Sequence, residues 1–224
     1  MATNQAPEHQ EVDEQFLKLT IGATAIALPF VALALSAWPL HSISASYYEG
    51  EWARNFLVGA LVAISALLLS YDGHTNAQLL LAKAAALAAP GIAFFPCQCA
   101  THHPVVPYVH EVCAAIMFSI LACFCHIFWK RALGKGHKEA MRRVVIYRLC
   151  FTIIIVAMGG VVLDAVLQHR WSEAGRSYLF WCEAFGLWAF GLSWLTASKW
   201  ITWTADGKEE FKLFSPRKPA VRKH

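Results

Sequence analysis

The sequence predicts an all-α protein: a polytopic membrane helix bundle with six transmembrane helices and both termini cytoplasmic. Three observations predict it, namely six apolar stretches of near-membrane length, a low content of charge, and basic residues gathered into only some of the gaps. The stretches are Phe16–Leu40, Trp52–Tyr71, Gln78–Phe95, Val106–Trp129, Val144–Leu167 and Tyr178–Ser198. A hydrocarbon core takes about 20 mostly apolar residues per helical crossing, and each stretch is close to that. The 224-residue chain is 57% hydrophobic and 15% charged, with a mean hydropathy of +0.43, against roughly 25% charge in a soluble domain. Little chain remains for a separate domain. The organisation expected is a disordered cytoplasmic tail over 1–15, the bundle over 16–200, and a basic cytoplasmic tail over 201–224.

Backbone groups in lipid must bond within their own segment or within a closed barrel. Barrel strands alternate over about 10 residues, whereas Leu61–Leu69 and Ile153–Val162 are almost continuously apolar, so the spans are helices. The first is retained in the mature chain, because no basic segment precedes it as in a signal peptide; Pro29 bends it. Small residues give the second (Ala60, Ala63, Ala66) and the third (Ala84–Ala89, Gly91) their packing seams, and Pro90 bends the third. In the fifth and sixth, Gly159-Gly160 and Gly186/Gly191 let backbones approach. Trp38, Trp52, Tyr71, Trp129, Tyr178 and Trp200 stand at span ends, the depth that amphipathic rings favour.

Orientation follows from charge. Lys130, Arg131, Lys135, Lys138, Arg142 and Arg143 fill the fourth gap, and Lys199, Lys208, Lys212, Arg217, Lys218, Arg222 and Lys223 the tail, while Pro96–Pro107 has neither Lys nor Arg. The positive-inside rule puts the fourth gap and the tail in the cytoplasm, and an even number of spans brings the N-terminus there too. The net charge of +4 therefore reports topology and anionic lipid, with no nucleic-acid partner expected. Lys83 and Arg148 lie about one turn into their helices, within snorkelling reach.

Once oriented, the polar residues sort by depth. Arg54, His110, Glu111, Asp164 and Glu183 fall on the outer side of four helices, beside outer-loop residues that include His41, Ser42, Ser44, Ser46, Tyr47 and Tyr48. Ionisable groups in a membrane usually face a bundle interior or a wet cavity, with partners. Ser44, Tyr47, Tyr48, Arg54, His110, Glu111, Asp164 and Glu183 are therefore expected to form one outward-opening polar pocket. The alternative is a structural ion-pair network in which Arg54 neutralises Glu183 or Asp164.

Cys97, Cys99, His102 and His103 crowd one outer loop. Thiolates and imidazoles at this spacing suit copper or zinc. The outer compartment is oxidising, which favours a disulfide at Cys97 or Cys99 instead, with Cys113 and Cys182 as candidate partners; free thiols are the third option. Cys123, Cys125 and Cys150 lie deeper and read as packing residues. Haem is not expected, since His110 and His126 lie on one helix at opposite sides of the membrane. No cofactor is assigned. A phosphate-binding Gly-rich loop, G-x-S-x-G and H-E-x-x-H are all missing, Ala114 standing where the last would need its second His. Ser42 or Ser44 near His41 is a conceivable nucleophile with a base.

Ser42-Ile-Ser-Ala-Ser-Tyr-Tyr48, followed by Arg54-Asn-Phe-Leu-Val-Gly59, resembles the first outer loop and second helix of uncharacterised six-helix bacterial membrane proteins. These are similar in layout to the DRAM-type membrane family, which includes a protein of GPI-anchor lipid remodelling. The shared points are the Ile-Ser of that loop, His110, and Glu183 ahead of Trp188-Ala-Phe-Gly-Leu-Ser-Trp194. The loop lacks the Asp that commonly follows in eukaryotic members. The resemblance implies a lipid-associated role facing outward. Two readings then compete: a lipid- or partner-binding module, with membrane lipids or another membrane protein as partner, and a membrane enzyme or metal/redox protein using the outer His/carboxylate cluster. With no N-x-[ST] sequon, a bacterial inner membrane is the expected location.

Overall fold

The computed structural model describes residues 7–98, 105–167 and 177–204. Among the described residues six long helices follow one another: α1 (Pro7–Leu35), α2 (Glu51–Leu69), α3 (Asn76–Phe94), α4 (Val109–Leu133), α5 (Lys138–Val166) and α6 (Tyr178–Ala197). A short 3-10 helix (Ser44–Tyr48) interrupts the α1–α2 connection, and a last 3-10 turn (Thr202–Thr204) follows α6. Helices α1 (from Glu14) through α5 are long and apolar enough to cross a membrane. α6 has 20 residues, a crossing length, but Tyr178, Glu183 and three Trp dilute its aliphatic content.

Two boundaries differ from expectation. Helix α1 starts at Pro7, so most of the tail expected to be disordered over 1–15 is helical. Proline is tolerated in a first helical turn. Glu14 is then held by Lys18 at 3.2 Å and by Nδ1 of His74 at 3.0 Å. The same helix ends at Leu35 rather than Leu40, ahead of Pro39, which has no N–H to give and disfavours helical geometry in the residue before it. α5 likewise begins at Lys138, six residues before its apolar run.

Each helix packs on its sequence neighbours, and α6 closes the ring on α1, with a further contact between α4 and α6 across the middle. The start of α1, the α2–α3 and α4–α5 connections and the end of α6 share one end, here the basic end. Leu80, Leu87 and Val156 are at least two-thirds exposed around the outside, as a lipid-facing surface requires.

The close approach of α1 to α6 rests on a pair of glycines. A Cβ on Gly22 would stand 2.9 Å from the Gly191 carbonyl oxygen, and one on Gly191 would stand 2.7 Å from that of Gly22. Pro90 has a different consequence. It leaves the Ala86 carbonyl without its helical N–H, and Ser65 of α2 donates to that oxygen at 2.7 Å. Thr75 caps α3, accepting from the Gln78 N–H at 3.3 Å while the Gln78 side chain reaches back to the His74 N–H at 2.7 Å, close to a capping box. Lys83 donates to the Leu69 carbonyl and so closes the C-terminus of α2 rather than only reaching for the interface. Toward the basic end, Trp194 of α6 meets Tyr71, Phe124, Phe128 and Phe190 in tilted and edge-to-face contacts at centroid distances of 5.3–5.9 Å. Phe190 of this cluster lines one cavity of the bundle, and Phe128 lines another at the basic end.

Candidate functional site

At the end opposite the basic one, the α1–α2 connection folds back over the bundle. The His41 carbonyl accepts from the Phe180 N–H at 3.0 Å, which ties the loop to the start of α6. Ser42 Oγ accepts from the Ala45 N–H at 2.9 Å, and Ser46 Oγ donates to the Ile43 carbonyl at 2.6 Å. These local bonds, natural to serine in turns, shape the 3-10 helix. Its first amides have no partner within so short a helix. Glu183, one turn into α6, supplies it: the carboxylate accepts from the Ile43 N–H at 2.6 Å and the Ser44 N–H at 3.3 Å. An anion at the positive end of a helix is the favourable sign.

His110, buried in the first turn of α4, is oriented by α3. Pro96 stands four residues after Ile92 and cannot donate to it, and Phe95 lies at the helix end, so both carbonyls need other donors. Nδ1 of His110 lies 3.1 Å from the Ile92 oxygen and 2.9 Å from the Phe95 oxygen. Both are acceptors, so Nδ1 carries the proton and Nε2 of the neutral ring is left as acceptor. That nitrogen is 3.0 Å from Ser44 Oγ. The hydroxyl also donates to Glu183 Oε1 at 3.4 Å, so its one proton is shared between the imidazole and the carboxylate.

Ser44 and Glu183 close the end of a cavity of about 70 Å³ that is otherwise apolar. It runs inward between α1, α2, α4 and α6, past Leu28, Leu61, Met117 and Leu187. A polar cap on a hydrocarbon-lined space suits one segment of an amphiphile. A serine hydroxyl bonded to an oriented imidazole is also the arrangement of an activated nucleophile.

Of the predicted residues, the structure brings Ser44, His110 and Glu183 together. The rest lie apart from this core. Arg54 pairs with neither Glu183 nor Asp164, contrary to expectation; its guanidinium stands 5.7 Å from the Tyr47 ring centre. Glu183 is already held by backbone amides, and at the membrane surface an aromatic face is a sufficient partner for arginine. Tyr48 donates to the Cys97 carbonyl at 2.9 Å, and burial pushes its phenol above the ordinary value. Glu111 accepts from the Gln98 N–H at 2.9 Å. Both therefore tie the second loop to the bundle. Asp164 is fully buried on α5, within electrostatic reach of Tyr178 and Cys182. The imidazole beside Ser44 belongs to His110, not to its chain neighbour His41.

Cys97 is disulfide-bonded, so it is no thiolate ligand. Cys113 and Cys182, the partners expected for it, are free, because they sit in helix seams against Gly91 and Gly160. Cys99, His102 and His103 lie outside the described residues. Among the described residues no three His, Cys, Asp or Glu side chains gather as a metal site would need. Sequence reasoning missed the Ile43 and Ser44 amides as the partners of Glu183. It also missed Pro96, whose spacing from Ile92 is a legible sign of a carbonyl awaiting a donor. No family model, no curated protein and no solved structure matches this chain.

Proposed function

We propose that this protein is a lipid-binding membrane module that holds an acyl segment in the cavity between α1, α2, α4 and α6. The lipid's polar end then lies against Ser44, Glu183 and, behind them, His110. The observation that carries this reading is the closure of an otherwise apolar cavity by Ser44 and Glu183 inside a bundle with lipid-facing walls. The likeness of the Ile43-Ser44 loop, His110 and Glu183 to the DRAM-type family points the same way. The basic end faces the cytoplasm in this reading. The oxidised Cys97 at the other end suits an oxidising outer compartment, and the bacterial inner membrane is the location assigned. Native mass spectrometry of the detergent-purified chain tests the proposal. The wild type should retain one phospholipid per chain, and Leu61→Trp, which fills the cavity, should release it. Equal retention by both would overturn the proposal.

The 3.0 Å contact between Ser44 and His110 favours a second reading, acyl transfer or hydrolysis with Ser44 as nucleophile and His110 as base. A fluorophosphonate probe separates the two. Attack by Ser44 Oγ forms an O–P bond and expels fluoride, and the proton passes to His110. A mass adduct on Ser44 that disappears in His110→Gln supports catalysis; an unmodified protein leaves the binding module.

A further inference from the structure

Arg148 is a cation on the lipid-facing wall of α5. It follows the start of the apolar run at Val144 and is exposed. Met141, Val145, Ile155 and Val156, which share its helical face by their spacing, are themselves 45–67% exposed. Its guanidinium lies over Trp129 of α4, 5.1 Å from the ring centre, and is thereby held against the seam between the two helices. His126 packs edge-on against the same indole at 5.4 Å and against Phe151 of α5 at 5.9 Å. Lys130, four residues after His126 and so on the same stripe of α4, is exposed.

The fold leaves two polar groups of this patch unmet. The ion pairs among the described residues join Lys18 and His74 to Glu14 and Lys83 to Asp72; none reaches Arg148. His126 is half-buried, and among the described residues neither of its ring nitrogens has a hydrogen-bond partner; its contacts are the Trp129 and Phe151 rings. The indole N–H of Trp129 is closed off inside the seam, so that residue offers its ring face. A guanidinium and an imidazole against hydrocarbon are both costly without partners, and an aromatic face offsets part of that for the arginine alone. Snorkelling carries a long cationic side chain to water; it does nothing for His126, whose short side chain stays at its own depth.

An acidic phospholipid satisfies both groups at once. Its phosphate oxygens match the planar donor fork of arginine, with a lysine as a point charge beside it. Its ester carbonyls lie deeper, on the hydrocarbon side of the phosphate. His126 stands about 6 Å deeper along α4 than Lys130, which brings an imidazole N–H to the carbonyl level beneath the phosphate. Two cations without a carboxylate favour a headgroup of net negative charge over a zwitterionic one, and basic sites between transmembrane helices are where acidic headgroups bind.

We propose that the α4–α5 seam at the basic end, built from His126, Trp129, Lys130 and Arg148, is a docking site for an acidic phospholipid, with its phosphate on Arg148 and Lys130 and an ester carbonyl on His126. The site is on the outside of the bundle and does not depend on the cavity closed by Ser44 and Glu183.

Native mass spectrometry of the full chain in neutral detergent, with phosphatidylglycerol and phosphatidylcholine of the same acyl chains, tests the proposal. The wild type should prefer phosphatidylglycerol. Arg148 is exposed, so Arg148→Gln should fold, as helical circular dichroism checks. It should weaken phosphatidylglycerol binding at least about tenfold, the loss expected when charge-assisted bonds are removed. Lys138→Gln makes the same change in charge at the exposed start of α5 and should stay within about threefold of wild type. An ether-linked phosphatidylglycerol, which lacks the carbonyls, should bind the wild type about threefold or more weakly than the ester lipid, and His126→Phe should bind the two alike. Leu61→Trp, which fills the other cavity, should leave the preference for phosphatidylglycerol intact, so that the two lipid sites can fail separately. No preference in the wild type, an equal loss in Arg148→Gln and Lys138→Gln, or an ester-to-ether difference that survives His126→Phe would overturn the proposal.

Discussion

Replacing Glu183 separates a carboxylate that organises the outer loop from one that merely happens to be there. In Glu183→Leu the Ile43 and Ser44 amides, bonded to the carboxylate at 2.6 and 3.3 Å, lose their acceptor beneath the folded loop. An unsatisfied buried donor costs about 1–3 kcal/mol, so two cost about 2–6 kcal/mol, a large share of the roughly 5–15 kcal/mol that holds a typical protein folded. Glu183→Gln keeps an acceptor oxygen and exchanges charge-assisted bonds for neutral ones. That difference is about 1 kcal/mol per bond, and the 3.3 Å contact contributes the smaller part, so about 1–2 kcal/mol is expected. Unfolding in mixed micelles with a rising fraction of dodecyl sulfate, followed by helical circular dichroism, measures both. Leu should be distinctly worse than Gln. If the two variants lie within about 0.5 kcal/mol of each other, the capping argument is wrong.

Further outcomes follow from the same geometry. Arg54→Gln should cost about 0.5–1 kcal/mol, the worth of an exposed cation–π contact, and a double-mutant cycle with Glu183→Gln should show coupling below about 0.5 kcal/mol; a larger coupling would restore the ion pair. Ser65→Ala should cost about 1 kcal/mol in the wild type and less in a Pro90→Ala background, where the Ala86 carbonyl regains its helical donor; an equal cost in both backgrounds refutes that role for Ser65. Gly191→Ala forces α1 from α6 and should destabilise by about 1–3 kcal/mol, read from the same micelle titration. Burial lowers the affinity of His74 for a proton against the pull of Glu14, so the unfolded chain binds that proton more readily. Its contribution to stability is then complete above the unfolded value of 6.5 and is lost as pH falls through the lower folded one. Melting at pH 7.5 and 5.5 should therefore show a smaller acid loss in His74→Gln than in the wild type.

The helices were legible because lipid and length leave few alternatives, and five of the six are long and apolar enough to cross a membrane. Their ends were less legible. The helical extensions before Phe16 and Val144 are mostly charged and polar residues, whose state depends on partners such as His74 for Glu14. At the outer site, His110 and Glu183, grouped in the sequence by depth, both contact the Ser44 loop, since ionisable groups at one level tend to meet. Depth says nothing about which partner each group takes. The expected pairing of Arg54 with a carboxylate ignored the backbone amides of the 3-10 helix, which are invisible to an argument based on side chains. The basic end had the same weakness: Lys and Arg counted by gap gave an orientation, while Lys18, isolated within α1, showed no sign of sharing a cavity with residues more than 100 positions away.

The most direct test of the outer lipid site is photolabelling of the full chain in phosphatidylglycerol/phosphatidylcholine vesicles, using a phospholipid with a diazirine on its acyl chain, followed by peptide mapping. The account predicts adducts on the cavity residues Leu61, Met117 and Leu187 that are lost on Leu61→Trp. Adducts confined to outward-facing Leu80, Leu87 and Val156, with the cavity unlabelled, would contradict it.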